Sequence, residues 1–116
     1  MYVRILQANA KEKKRLITSF VVPAHNSERN IYNCINRLFK RSEERTKACE
    51  IIVVDDGSND DTYERAWSAI ERNRARHPLV RAKVIRHSAS LGKAEAIKTG
   101  ASKALGHVVV VNPNTA

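Results

Sequence analysis

Cysteine is scarce in this chain of 116 residues, which has only Cys34 and Cys49. Two thiols cannot make a disulfide framework, and their spacing does not match a zinc site, so both read as reduced. Aromatic residues make up 5%, too few to interleave with basic residues as nucleic-acid binders usually do. No stretch approaches the ~18 consecutive apolar residues that would cross a bilayer. The first 16 residues hold no apolar run ending in a small-residue cleavage site, which argues against a secretory signal and for a cytoplasmic protein. There is no internal repeat and no low-complexity tract.

What is present fits one globular domain, with 42% hydrophobic and 28% charged residues. Lys and Arg number 21 against 12 Asp and Glu, for a formal charge of +9. That balance favours an anionic partner: a phosphate-bearing ligand, nucleic acid or a membrane surface. The cations are spread along the chain and read as solvated helix faces. No nucleic-acid motif accompanies them, so nucleic acid is not expected. The run Lys11-Glu12-Lys13-Lys14-Arg15 leaves an anionic membrane surface open, at the cytoplasmic face. Residues 1–16 read as a basic leader, and 17–116 as the domain.

From residue 17 the pattern alternates regularly. Residues 17–22 form a β-branched-rich run closed by Pro23, the mark of a strand buried on both faces. Ile31, Cys34, Ile35, Leu38 and Phe39 make one apolar helical stripe. A second strand, 51–54, ends at Asp55-Asp56-Gly57-Ser58. Asp61 is placed to cap the next helix, with Glu64 completing a capping box. Tyr63, Ala66, Trp67 and Ile70 repeat the stripe, and Tyr63 and Trp67 read as core. Residues 80–85 form a third strand. A helix from Ser90 carries Ala94, Ile97, Ala101 and Leu105 on one side and stops at Gly106. Residues 107–111 form a fourth strand. The order β-α-β-α-β-α-β means a parallel sheet with right-handed crossovers. Such sheets bind ligands beyond the carboxyl ends of their strands. The segments in that position are 23–26, 55–61, 87–93 and 112–114, and the unusual residues concentrate there.

These segments carry a resemblance. Val21-Val22-Pro23-Ala24-His25-Asn26-Ser27-Glu28 resembles the opening motif of family 2 glycosyltransferases. So does Glu50-Ile51-Ile52-Val53-Val54-Asp55-Asp56-Gly57-Ser58-Asn59-Asp60-Asp61-Thr62. Leu91-Gly92-Lys93, followed by Ala96-Ile97-Lys98-Thr99-Gly100, is similar to the polyprenyl-phosphate (dolichyl-phosphate) sugar transferases of that family. The resemblance implies a Rossmann-like α/β three-layer sandwich, the GT-A fold, with a four-stranded parallel sheet of order 3-2-1-4. It implies transfer of a sugar from a UDP- or GDP-sugar to an acceptor such as polyprenyl phosphate. By position, Pro23, Ala24, His25 and Asn26 would lie near base and ribose, with His25 where the family usually has Tyr. Val54, Asp55, Asp56 and Gly57 would form the second wall, Asp56 accepting hydrogen bonds from base or ribose. Lys93 would lie near the base or the phosphates. A helix starting near Gly92 would offer free N–H groups to an anion, and Gly92 would let a ligand approach the backbone closely.

Two departures matter. The family expects an Asp-x-Asp after the fourth strand, holding Mg or Mn against the diphosphate; here the residues are Asn112-Pro113-Asn114. Asn brings a carbonyl oxygen but no charge, so a metal at Asn112 and Asn114 should bind weakly or not at all. The family's catalytic domain also continues well beyond this length, so transfer by this chain alone is not expected. A non-catalytic binding or scaffold module with a degenerate glycosyltransferase fold is the alternative. A phospho-accepting receiver domain fits less well, because its acidic pair follows the first strand rather than the second. One helix covers about 10 Å of a four-stranded face about 19 Å wide, at ~4.8 Å per strand. Part of that face is left bare unless the leader, a second copy or further sequence covers it, and a homo-oligomer through that face or an edge strand is expected.

Overall fold

A computed structural model describes residues 3–5, 17–43 and 48–112. The leader contributes β1 (Val3–Ile5), and β2 (Thr18–Ala24) follows. Then come α1 (Ile31–Glu43), β3 (Cys49–Asp55), α2 (Thr62–Arg74), β4 (Val80–Arg86), α3 (Lys93–Lys103) and β5 (Val108–Val111). The sheet order is β1-β5-β2-β3-β4. Its four inner-to-edge strands β4-β3-β2-β5 are all parallel and reproduce the expected order 3-2-1-4. β1 adds a fifth strand, antiparallel to β5, which the leader's composition did not signal.

Side-chain alternation along the strands divides the core in two. Phe20, Val22, Ile51 and Val53 face α1 and α2, where Ile31, Cys34, Ile35, Leu38 and Phe39 form the expected stripe with Ala66, Ala69 and Ile70. Val21, Ile52, Val54 and Val109 face α3 alone. Right-handed crossovers produce this two-and-one distribution of helices.

Pro23 does not close β2. It pairs with Val54 inside the strand, and Ala24 pairs with Asp55. The ladder to β5 ends at Val21 with Val111, so the N–H that Pro23 lacks falls beyond the last partnered residue.

The α3 stripe also differs from expectation. Ala96 and Gly100 face the sheet, Ala94 is exposed, and Leu105 is 76% exposed in the loop beyond the helix. Gly100 is required by contact, since a Cβ there would run into the Val21 side chain. Small residues bring α3 close to the sheet, and hydrophobicity alone does not identify them. Gly106 is no left-handed stop. It lies where a Cβ would meet Ser19 and the Ile17 carbonyl, and its N–H donates to Ser19 Oγ at 2.9 Å. Ser19 in turn donates to the buried Glu50, which also accepts from Leu105 N. Trp67 packs on the α1–α2 core but is only partly buried, and Tyr63 is partly buried at the rim.

Candidate functional site

β3 delivers two adjacent carboxylates to the sheet's carboxyl end, and the strand's alternation separates their duties. Asp56, on the α3 side, is held by four donors. Its Oδ1 accepts from Leu91 N (2.8 Å) and His87 Nδ1 (2.7 Å); its Oδ2 accepts from Gly92 N (2.9 Å) and Ser90 Oγ (3.0 Å). Burial alone would raise the Asp56 pKa. The bonds from Leu91, His87, Gly92 and Ser90 outweigh it and hold the carboxyl well below the usual carboxylate range. An ionised carboxylate only accepts, so His87 Nδ1 donates to it, and His87 Nε2 lies 2.8 Å from Thr99 Oγ1. The N–H groups of Leu91 and Gly92, just ahead of the helix, are therefore engaged by the protein itself. Gly92 adopts φ 102, and nothing lies within 4 Å of a Cβ there, so glycine serves backbone conformation beside open space.

Asp55 turns to the α1–α2 side and is fully buried. Its Oδ1 accepts both the N–H (3.2 Å) and the hydroxyl of Ser58. Its Oδ2 accepts no hydrogen bond. Arg86 Nε lies 3.5 Å from Oδ2, and the Arg86 guanidinium sits 4.8 Å from the Tyr63 ring centre.

The 23–28 segment is clamped to the 55–62 segment. His25 Nδ1–H donates to the Asp56 carbonyl at 2.8 Å. Asn26, at φ 47, donates its N–H to Ser58 Oγ and accepts from Asn59 N on its side chain. Ser27 N donates to Thr62 Oγ1. The start of α2 corrects the capping box. Asp60 accepts from Thr62 N and Oγ1 and from Glu28 N, while Asp61 makes no side-chain cap. Glu28, not Glu64, reaches back to Asp61 N, at 3.1 Å. These bonds outweigh burial and lower the Asp60 pKa.

Pro23, Ala24, His25, Asn26, Asp55, Asp56 and Gly57 thus come together on one rim. A Cβ at Gly57 (φ 65) would lie 2.5 Å from Ala89 C and Ser90 N, so the 55–61 segment rests on the loop that follows β4. Lys93 stands exposed beside Gly92. Val54 joins only through its backbone, for its side chain is core against α3. Pro23 and Ala24 are likewise buried. A cleft of about 390 Å³ opens between Gly57, Ser58, Asn59, Arg86, His87 and Ser88. Arg86, His87, Ser58 and Ser90 were not singled out from sequence. Arg86 ends β4 and His87 follows it, and that position at a strand's carboxyl end was the available signal.

Asn112 extends β5 by donating its N–H to Val21 O, and its Nδ2 lies 3.8 Å from Cys34 Sγ. It gives a hard dication only a neutral oxygen, and Asn114 lies outside the described residues. Among the described residues no group of three or more His, Cys, Asp or Glu could hold a metal ion. The basic run 11–15 is also outside the described residues. Among them, no helix is long and apolar enough to cross a membrane.

A parallel Rossmann-like sheet of this strand order, with an acidic strand end facing the trailing loops of its neighbours, has the architecture of the GT-A nucleotide-sugar transferases. The chain belongs to glycosyl transferase family 2, whose model matches residues 19–112. A dolichyl-phosphate beta-glucosyltransferase of Trichomonas vaginalis is 33% identical over 100 residues, covering 81% of this chain and 28% of that protein. The mannosyltransferase PcManGT from Pyrobaculum calidifontis, solved with GDP-Man and Mn2+, matches with TM-score 0.67 and 26% identity, over 86% of this chain and 28% of that one. TarS of S. aureus in complex with UDP matches with TM-score 0.69 and 27% identity, over 85% of this chain and 27% of that one. The glucosyl-3-phosphoglycerate synthase of Mycobacterium tuberculosis, solved with Mn2+ and UDP-Glc, gives TM-score 0.66 and 26% identity, over 90% of this chain and 35% of that one. The chain therefore spans about a third or less of each of these relatives.

Proposed function

We propose that this chain forms the donor half of a glycosyltransferase site, binding a nucleoside-diphosphate sugar for transfer to a polyprenyl-phosphate acceptor at a cytoplasmic membrane face. The observation that carries the proposal is the buried Asp55 carboxylate, with one oxygen free of hydrogen bonds, beside a cleft at the sheet's carboxyl end. Arg86 offsets the charge of that oxygen at 3.5 Å without hydrogen-bonding it, which leaves its acceptor capacity for a ligand donor. Family membership and relatives solved with GDP-Man and UDP support a nucleotide as that ligand. The dolichyl-phosphate beta-glucosyltransferase supports a polyprenyl phosphate as acceptor. Such an acceptor is already ionised and needs no base to deprotonate it.

The second reading, a binding or scaffold module without transfer chemistry, is favoured by Asn112 standing where the family carries an acid. Thermal-shift titration with UDP and GDP, with and without manganese, separates the two. The donor-site reading expects the melting temperature to rise with nucleotide concentration. No shift with either nucleotide would overturn it in favour of the scaffold.

A further inference from the structure

The two ends of the sheet differ. β5 is covered on its outer side by the antiparallel β1, whereas β4, at the other end, pairs with β3 alone. The β3–β4 register is unbroken from Cys49 with Val80 to Asp55 with Arg86. At its two ends Cys49 N donates to Leu79 O and His87 N donates to Asp55 O. A parallel ladder uses alternate residues of each strand, so Arg81, Lys83 and Ile85 also turn their backbone groups toward β3. Those of Ala82, Val84 and Arg86 turn outward. Val80 N is used locally, by His77 O, but among the described residues no segment hydrogen-bonds to the outward groups of Ala82 and Val84.

An unbroken open edge of seven residues is a template for another strand unless something guards it. β4 contains no proline and no bulge, and its guard is charge. Arg81 and Lys83 share the α3 side of the strand with Ile85, and Arg86 ends it on the other side, against Tyr63 of α2. The nearby carboxylates, Glu50 at 3.8 Å from Lys83 and Asp55 at 3.5 Å from Arg86, are buried on β3 behind the edge. Arg81 has no ion pair among the described residues. A second copy pairing through β4 would bring two sets of Arg81, Lys83 and Arg86 into one ribbon, and like charges oppose that. An acidic strand meets the opposite sign.

We propose that β4 accepts an extended acidic segment of a partner protein by strand addition. Main-chain bonds to Ala82 and Val84 supply affinity, and alternate side chains supply selection. On the α3 side the segment carries acids opposite Arg81 and Lys83 and an apolar residue opposite Ile85. On the other side it carries small apolar residues, continuing the layer in which Ala82 and Val84 pack on the α1–α2 core. The edge ends at Arg86, which also lines the cleft of about 390 Å³, so one end of the segment lies beside the candidate site.

The test is titration of the full chain with a fluorescent peptide of about nine residues alternating Glu and Val, read by anisotropy and by amide hydrogen exchange. N-methylation along one edge of the peptide removes the donors that face β4, and along the other edge those that face solvent. One methylated peptide should bind at least about tenfold more weakly than the parent and the other should match it. Exchange at the Ala82 and Val84 amides should slow on binding. Val84→Pro removes an outward donor without touching the β3 ladder, so it should abolish binding and keep the melting temperature near its original value. Arg81→Glu with Lys83→Glu should weaken the Glu–Val peptide at least about tenfold and favour a Lys–Val peptide. Equal effects of the two methylations, unchanged exchange at Ala82 and Val84, or binding undiminished by Val84→Pro would overturn strand addition. Equal affinity for Glu–Val and Lys–Val peptides would overturn the acidic partner. Protection of Ala82 and Val84 that grows with protein concentration in the absence of peptide would overturn it in favour of a second copy. No binding at millimolar Glu–Val peptide would overturn the proposal outright.

Discussion

The backbone N–H of Gly92 donates to Asp56 Oδ2 across 36 positions of sequence, at 2.9 Å. A carboxylate from the end of β3 thereby seals the start of α3, where the helix dipole favours negative charge. Asp56 is in this structure a keystone of the rim, since both of its oxygens are filled by the protein itself.

Asp56→Asn should therefore destabilise the fold by about 2 kcal/mol or more, because the amide nitrogen would face a backbone donor in either orientation, Leu91 N–H in place of Oδ1 or Gly92 N–H in place of Oδ2. The same carboxylate makes stability depend on acid pH. Its folded pKa is depressed, so its contribution is complete above the unfolded value of about 3.9 and is lost as pH falls below that. Denaturant melts of both proteins between pH 7 and 2.5 check this: the gap between them should narrow below about pH 4.

Gly57→Ala should cost about 1–3 kcal/mol, because it combines a left-handed φ of 65 with a Cβ set against the Ala89–Ser90 backbone. Gly92→Ala meets only the conformational cost, since the space beside it is open, and it should destabilise less. Chemical denaturation of the two variants side by side gives the ranking.

Restoring the acidic pair with Asn112→Asp and Asn114→Asp should make UDP binding manganese-dependent, because a hard dication bridging a diphosphate depends on carboxylate charge. Titrations with and without manganese read the effect. Unchanged affinity would remove the placement of the family's metal position at these residues.

Cys34 should resist alkylation in the folded protein. Burial raises its thiol pKa, outweighing the opposing influence of Arg37 and the Asn112 contact, so little thiolate forms at neutral pH. Mass spectrometry after iodoacetamide, with and without denaturant, should show labelling only on unfolding.

Self-association is expected through the face carrying α3 alone or an edge strand, and Leu91 and Leu105, in the loops at either end of α3, are 59% and 76% exposed. Light scattering at increasing concentration tests it: Leu105→Lys should weaken association, and a strict monomer at high concentration would exclude it.

The alternation of strands and helices and the α1 stripe were legible because β-branched runs and 3.6-residue spacing have few other readings, while the sheet order came from the family resemblance. The convergence of residues 23–26, 55–57 and 93 followed from topology. The α3 contact face was not legible, because Ala96 and Gly100 are buried for their smallness, and a hydrophobicity count favours Leu105 instead. The cap of α2 was misplaced by one residue because Asp60 and Asp61 have equal local claims. Only the distant Glu28, which contacts both, decides between them. The opposite fates of Asp55 and Asp56 depend on Ser58, Arg86 and the 87–92 loop, which no local pattern brings together.

Neighbouring positions on a strand look in opposite directions, so the acidic doublet writes two independent instructions in two letters. Asp56 fastens the loop ahead of α3 to the sheet, while Asp55 pins the turn at Ser58 on the opposite face and pairs with Arg86.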